Sequence, residues 1–214
     1  MRKFVIGPMF TPPSLKGTLQ RPSASGGANW GGAAFDPETG YLFVRAANQI
    51  YANRVAKNDG ANPLAPVDYS NVFARGGESI NLPGGIPLVS PPYAVLTAID
   101  LNKGEIAWKS PLGEGSPALR NHPLLKGVAL QDRLGSPGSL GGAMVTGSGL
   151  VFIGGGDGYL YAFDKKTGRE IWRGEIPYAN TAVPMTYRTR SGRQFIVIAA
   201  GTGADNALVA FALR

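Results

Sequence analysis

The pattern A-x-D-x-x-x-G-x-x-x-W occurs twice in this chain. Its first copy is Ala98, Asp100, Gly104 and Trp108 in AIDLNKGEIAW, and its second is Ala162, Asp164, Gly168 and Trp172 in AFDKKTGREIW. All four positions recur at an offset of 64 residues. Self-similarity at a fixed offset marks a repeat architecture, whose units cannot cover their apolar faces alone and stack on their neighbours. Apolar runs of strand length surround each copy, bounded by turn signals. The first set is Asn29–Phe35, Tyr41–Ala47, Tyr93–Leu101 and Glu105–Ser110; the second is Leu140–Thr146, Leu150–Gly154, Tyr159–Asp164 and Glu170–Glu175. The third set has three members, Thr181–Tyr187, Gln194–Ala199 and Ala207–Leu213, with Ala212 where the earlier units carry Asp100 and Asp164.

Four-stranded units stacked around an axis make a β-propeller, and propellers close with about four to eight blades. The expected fold is therefore all-β: a partial propeller of about three blades, spanning roughly 28–111, 139–175 and 180–213, the last one strand short. Long rim loops are expected at 48–92 and 112–139. Three blades cannot close a ring, so the chain reads as the C-terminal part of a longer protein. Trp108 and Trp172 are expected to lie flat between neighbouring blades, each indole N–H meeting a backbone carbonyl of the next repeat. Asp and Gly shape the turn before that strand, Asp by accepting from local amides and Gly by taking a positive φ.

Composition narrows the function. With no cysteine, disulfides, Cys-ligated zinc, iron–sulfur clusters and a C-x-x-C-H haem site are excluded. Met1-Arg2-Lys3 is followed by FVIGPMFTPPS, in which Gly and Pro interrupt the apolar run, so the start reads as neither a secretory h-region nor a membrane span. An export signal is expected upstream, if there is one. The net charge of +7 comes from scattered residues, the nearest to a cluster being Lys165, Lys166, Arg169, Arg188, Arg190 and Arg193 in turns. That pattern reads as a solvated rim with possible peripheral attraction to an anionic membrane, and no nucleic-acid partner is expected.

Antiparallel blades put alternate loops on opposite rims. One group is short throughout: 36–40, 101–104, 147–149, 165–168 and 188–192. The other contains both long loops, and loops of that length are generally functional or disordered. Ligand contacts are expected from this second rim, where four glycine-rich segments lie. Gly26–Gly32 carries Asn29 and Trp30, a Trp that either stacks on a ligand or caps the core. Ser136–Gly142 carries Leu140, and Gly154–Gly158 carries Asp157, which can equally satisfy turn amides. Ala200–Asn206 carries Thr202 and Asp205. Neither of these last two has a P-loop lysine or a following helix, so phosphate cradling is not expected. The one histidine, His122, stands without metal-ligand spacing and reads as a surface residue.

The segments GPMFTPPSLKGT, GGANWGGAAFDPETGYLFV, LTAIDLNKGEIAWKSPLGEG, GSPGSLGGAMVTGSGLVFIGGGDGYLYAFDKKTGREIW and TAVPMTYRTRSGRQFIVIAAG cover nearly the whole chain. Together they resemble the C-terminal region of the pyrroloquinoline-quinone (PQQ)-dependent dehydrogenases, eight-bladed propellers of the glucose and alcohol dehydrogenase type. The resemblance implies an oxidoreductase that takes hydride from an alcohol, sugar or polyol onto PQQ and passes electrons to a quinone or other acceptor. It also implies Ca²⁺ bridging cofactor and protein, a carboxylate base, and a periplasmic location. Matched residue by residue, Asn29 and Trp30 look like the cofactor-proximal Asn and its neighbour. Asp157 looks like the Asp of the turn near the quinone in glucose-oxidising members.

Two positions depart from the pattern. Leu140 stands where alcohol-oxidising members carry a Trp against the quinone, which favours the glucose-dehydrogenase side. Thr202 and Asp205 occupy the last turn, where membrane-bound glucose dehydrogenases place a His, and they are the expected substrate-rim residues. The Ca²⁺ ligands, the base and the Arg beside the quinone belong to earlier blades in the family. No catalytic or metal-ligating residue is therefore assigned here, and the isolated chain is expected to be inactive without the missing N-terminal blades. The competing reading is a non-catalytic propeller scaffold for protein partners, or an inactive fragment.

Overall fold

The computed structural model describes residues 3–22, 27–58, 67–71, 78–138, 141–179 and 182–213. In chain order the strands are β1 (Thr18–Gln20), β2 (Ala33–Asp36), β3 (Tyr41–Ala47), β4 (Tyr51–Asn53), β5 (Val55–Lys57), β6 (Tyr69–Asn71), β7 (Glu78–Ser79), β8 (Ala94–Asp100) and β9 (Glu105–Pro111). After a one-turn helix α1 (Pro117–Arg120) come β10 (Ala143–Val145), β11 (Leu150–Gly154), β12 (Tyr159–Asp164), β13 (Glu170–Glu175), β14 (Met185–Arg188), β15 (Gln194–Thr202) and β16 (Asp205–Phe211).

The chain divides into two compact units. The smaller, Met1–Gly26 with Asn48–Ser90, holds the antiparallel sheet β1-β4-β7 and the hairpin β5-β6. Part of what reads as a long loop after Ala47 is therefore strand, and β4 pairs with the N-terminal β1 through Thr18↔Asn53 and Gln20↔Tyr51. These strands are two or three residues long, too short to announce themselves by period-2 alternation.

The larger unit, Gly27–Ala47 with Pro91–Arg214, holds three antiparallel sheets, ordered β2-β3-β8-β9, β10-β11-β12-β13 and β14-β15-β16. The middle sheet is covered on both faces, so its strands are near-continuous apolar runs whose alternate residues go to opposite cores. Val151, Ile153, Tyr161 and Phe163 pack with Phe43, Leu96 and Leu112 of the first sheet. Phe152, Leu160 and Ala162 pack with Ile198 and Ala200 of the third.

The repeated turns form as their composition demands. Asp100 Oδ1 accepts from Asn102 N at 3.0 Å; Asp164 Oδ1 accepts from Lys166 N at 3.0 Å and Thr167 N at 2.8 Å. Gly104 and Gly168 close the turns at φ 69° and 70°. Trp108 behaves as expected, its Nε1 donating to Lys165 O at 3.1 Å while the indole lies on Gly168. Trp172 does not. It is 39% exposed, packs edge-on against Phe211 with centroids 5.2 Å apart, and its N–H has no acceptor among the described residues. The carbonyl would have to come from a D-x-x-x-G turn in the third sheet, and Ala212 stands in place of that Asp.

Lys165 also departs from expectation. It is 3% exposed rather than solvated, with Nζ 2.9 Å from Asp36 Oδ2 and paired with Glu38 of the first sheet's turn.

Candidate functional site on the glycine-rich rim

The three sheets meet at their first strands. A Cβ on Gly142 would collide with the carbonyl oxygen of Gly31 and sit 3.2 Å from Val183 Cγ2, so the lead-ins to β2, β10 and β14 converge on one spot with no room for a side chain at Gly142. From there the strands run in parallel order to the opposite rim. That order puts residues 29–32, 155–158 and 202–205 on one rim, and the turns at 37–40, 101–104, 165–168 and 189–192 on the other.

On the converging rim Asn29 and Trp30 form a tight turn. Asn29 Oδ1 accepts from Trp30 N at 2.9 Å and its carbonyl accepts from Gly32 N at 2.9 Å. Trp30 is 95% exposed. Of the two roles open to it from sequence, core-capping is thereby removed, because a capping indole would be covered by the core beneath it. Leu140 lies outside the described residues. Thr202 and Asp205 face each other across the β15–β16 turn and both are exposed.

Asp157 is held differently. Its Oδ2 accepts from Glu114 N at 2.7 Å, Tyr161 Oη at 2.9 Å and Ser136 Oγ at 3.3 Å. The carboxylate therefore ties the β11–β12 turn to both ends of the long 112–139 segment. Its Oδ1 is buried with no hydrogen-bond partner. Burial, then the charge and the hydrogen bond of Asp157, push the Tyr161 hydroxyl well above its ordinary range, so it stays a donor. The Arg133 guanidinium lies 5.3 Å over the Tyr161 ring and pairs with Glu170; Arg173 lies 5.1 Å over the Tyr159 ring and pairs with Glu114.

Arg45 completes the rim. On β3 it shares a face with buried Phe43, and it is 5% exposed. Its Nη2 donates to Pro137 O at 2.6 Å, while Nε is buried without an acceptor. The sequence reading passed over Arg45, though a charged residue at the register position of Phe43 in LFVRAA was a signal a period-2 reading can detect. Glu114, Arg133, Arg173 and Tyr161 were also missed, because only the fold brings them together. His122 caps a short turn by accepting from Leu124 N at 3.2 Å.

The described residues contain no group of three His, Asp or Glu side chains able to hold a metal ion, and no helix long and apolar enough to cross a membrane. On donor chemistry this rim does not fit Ca²⁺, which takes about six to eight oxygen ligands. It does fit a flat, partly polar organic ligand, offering an open indole, an amide, close backbone approach and a buried guanidinium.

Residues 1–196 match the family model for the β-propeller domain of PQQ-dependent glucose, ethanol and alcohol dehydrogenases. The quinate/shikimate dehydrogenase (quinone) of Acinetobacter baylyi is 32% identical over 90% of this chain and 25% of its own length. The glycerol dehydrogenase large subunit of Gluconobacter thailandicus is 33% identical over 95% of this chain and 31% of its own. Among solved structures, the quinohemoprotein alcohol dehydrogenase of Comamonas testosteroni superposes with a TM-score of 0.57 at 21% identity, covering 86% of this chain and 23% of that one. The chain thus spans about a quarter to a third of the length of the curated relatives it matches.

Proposed function

The chain belongs to the PQQ-dependent dehydrogenase β-propeller family, and from that premise we propose that it is the C-terminal wall of the quinone funnel in a periplasmic quinoprotein that oxidises sugars, polyols or related alcohols. The exposed Trp30 beside the point where Gly31, Gly142 and Val183 converge carries the reading, since it presents an aromatic face, with open backbone at Gly32, where the three sheets meet. Bound PQQ supplies the hydride-accepting carbonyl. Trp30 stacks on a planar ring system, Asn29 presents an amide to it, and the glycines let it reach the backbone. Asp157 fixes the turn bordering the funnel and keeps one oxygen, Oδ1, for a further donor. Thr202 and Asp205 line the outer lip where substrate passes. We assign no residue of this chain to Ca²⁺ or to the base, and the reading places both on the remaining blades, along with transfer of electrons to an acceptor.

A graft tests this. The chain replaces the matching C-terminal region of Escherichia coli quinoprotein glucose dehydrogenase, a 29% identical relative over 96% of this chain. The chimera is expected to reduce a dye with PQQ, Ca²⁺ and a panel of sugars and polyols, while the 214-residue chain alone shows no reduction above background. Trp30→Ala should raise the chimera's apparent Kd for PQQ at least tenfold. A folded chimera whose PQQ affinity ignores Trp30 overturns the assignment.

A further inference from the structure

Arg45 is a cation almost wholly removed from water and given one carbonyl in return. Pro137 O takes Nη2, and Nε is left as a buried donor with no partner. No carboxylate pairs with it among the described residues, whereas the other deeply buried cation, Lys165, has Asp36 and Glu38. Desolvation lowers the Arg45 pKa below the ordinary arginine range, with no compensating anion to hold it up. Burying a charge unpaired is strongly unfavourable, so a site that keeps one is complete only with a counter-ion. A guanidinium with unused donors matches a carboxylate, the planar anion that its fork holds through two parallel bonds. Its surroundings are those of the ligand rim: Arg45 lies two residues from the C-terminal end of β3, and Pro137 lies in the segment leading to Gly142.

We propose that Arg45 is the receptor for a carboxylate on a small cyclic ligand bound at this rim. The proposal rests on the funnel assignment above and deepens it. The carboxylate has two possible sources, the quinone itself, which carries three, or a hydroxy-acid substrate. Either way, an enzyme with Arg45 in its funnel discriminates a carboxylated ring from its neutral analogue.

The test uses the full chain at constant ionic strength, with binding followed by calorimetry and thermal shift and no turnover required. Quinate, inositol as its neutral counterpart, and PQQ are titrated into wild type, Arg45→Met and Arg45→Lys. We expect quinate or PQQ to bind, inositol not to, and Arg45→Met to weaken that binding at least tenfold. Arg45→Lys, which keeps the charge and loses the fork, falls between. Ligand-free Arg45→Met should melt no lower than wild type, because the unpaired charge is gone; a strictly structural arginine gives the opposite sign. Binding of quinate alone identifies a substrate carboxylate, and binding of PQQ alone a cofactor carboxylate. Failure of both to bind wild type, equal binding of inositol, or binding unchanged in Arg45→Met overturns the proposal. A dead chimera with Arg45-dependent binding intact sinks the oxidoreductase reading instead, so the two failures are separable.

Discussion

The junction between the first and second sheets and the junction between the second and third begin from the same sequence device and end differently. Both start with a Trp four residues after a turn glycine. Trp108 finds the next sheet's turn waiting: Gly168 lies under its ring so closely that a Cβ there would come within 2.5 Å of it, Lys165 O takes its N–H, and Ser110 Oγ donates to Gly168 O. The same turn sends Lys165 back to Asp36. Trp172 lies over Gly174 of its own strand and edge-on to Phe211, because the third sheet offers no such turn among the described residues. The motif is therefore half of a device. Its Trp belongs to one sheet and its seat to the next, and the energy appears only where both are present.

The largest expected effect separates the two tryptophans. Trp108→Ala should cost about 3–5 kcal/mol, the usual range for truncating a packed aromatic. Trp172→Ala, starting 39% exposed and without a hydrogen bond, should cost less than half of that. Urea denaturation of both variants measures the difference, and equal costs would break the comparison. Gly168→Ala comes next at about 3 kcal/mol, combining left-handed strain with displacement of the indole. Gly192→Ala, at φ 85° with nothing within 4 Å, carries the strain alone and should cost about 1–2 kcal/mol.

This asymmetry also marks what the sequence could reveal. Strands and repeat turns were legible because alternation, glycine and Asp act over a few residues, and β8, β9, β11, β12 and β13 lie within a residue or two of where the pattern put them. The acceptor for Trp108 was legible as a need, and its failure at Trp172 was not, since the missing partner lies one repeat further on. Lys165 was misread for a related reason. A lysine in a turn is ordinarily solvated, and only the stacking of sheets brings Asp36 and Glu38 of a distant turn against it. At the candidate site the glycines and Trp30 were legible, whereas Arg45 needed the sheet register and the Pro137 contact, 92 residues away, to become conspicuous.

Acid should act first on the tied junction. Burial works against ionisation of Asp36, but hydrogen bonds from Thr39 and Lys165 outweigh it and hold its pKa below the ordinary value of 3.8. A carboxylate lowered in the folded state contributes stability that is fully present above its unfolded pKa and is lost as pH falls through the folded one. Melting temperature should therefore hold its Asp36 contribution above about pH 4 and lose it below. Asp36→Asn should be less stable than wild type at neutral pH and converge with it in acid. Asp164 is also lowered, first by its Thr167 hydrogen bonds, but those bonds stay inside one turn. An Asp164→Asn curve as steep as that of Asp36→Asn would show that the cross-sheet tie adds nothing.

The smallest effect belongs to a more exposed charged tie across the same junction. Glu114, in the segment leaving the first sheet, pairs with Arg173 of the second, yet both side chains are about two-fifths exposed. Exposed pairs typically contribute about 0.2–1 kcal/mol and weaken as salt rises. Glu114→Gln should accordingly cost less than about 1 kcal/mol and lose even that in high salt. The loop should stay in place, since what anchors it to Asp157 is the Glu114 backbone N–H, which the substitution leaves untouched. Asp157→Ala removes the acceptor for three donors and should cost about 2–3 kcal/mol irrespective of salt. A Glu114→Gln loss as large and as salt-insensitive as that of Asp157→Ala would mean that the ion pair, and not the carboxylate beneath it, holds the long segment to the rim.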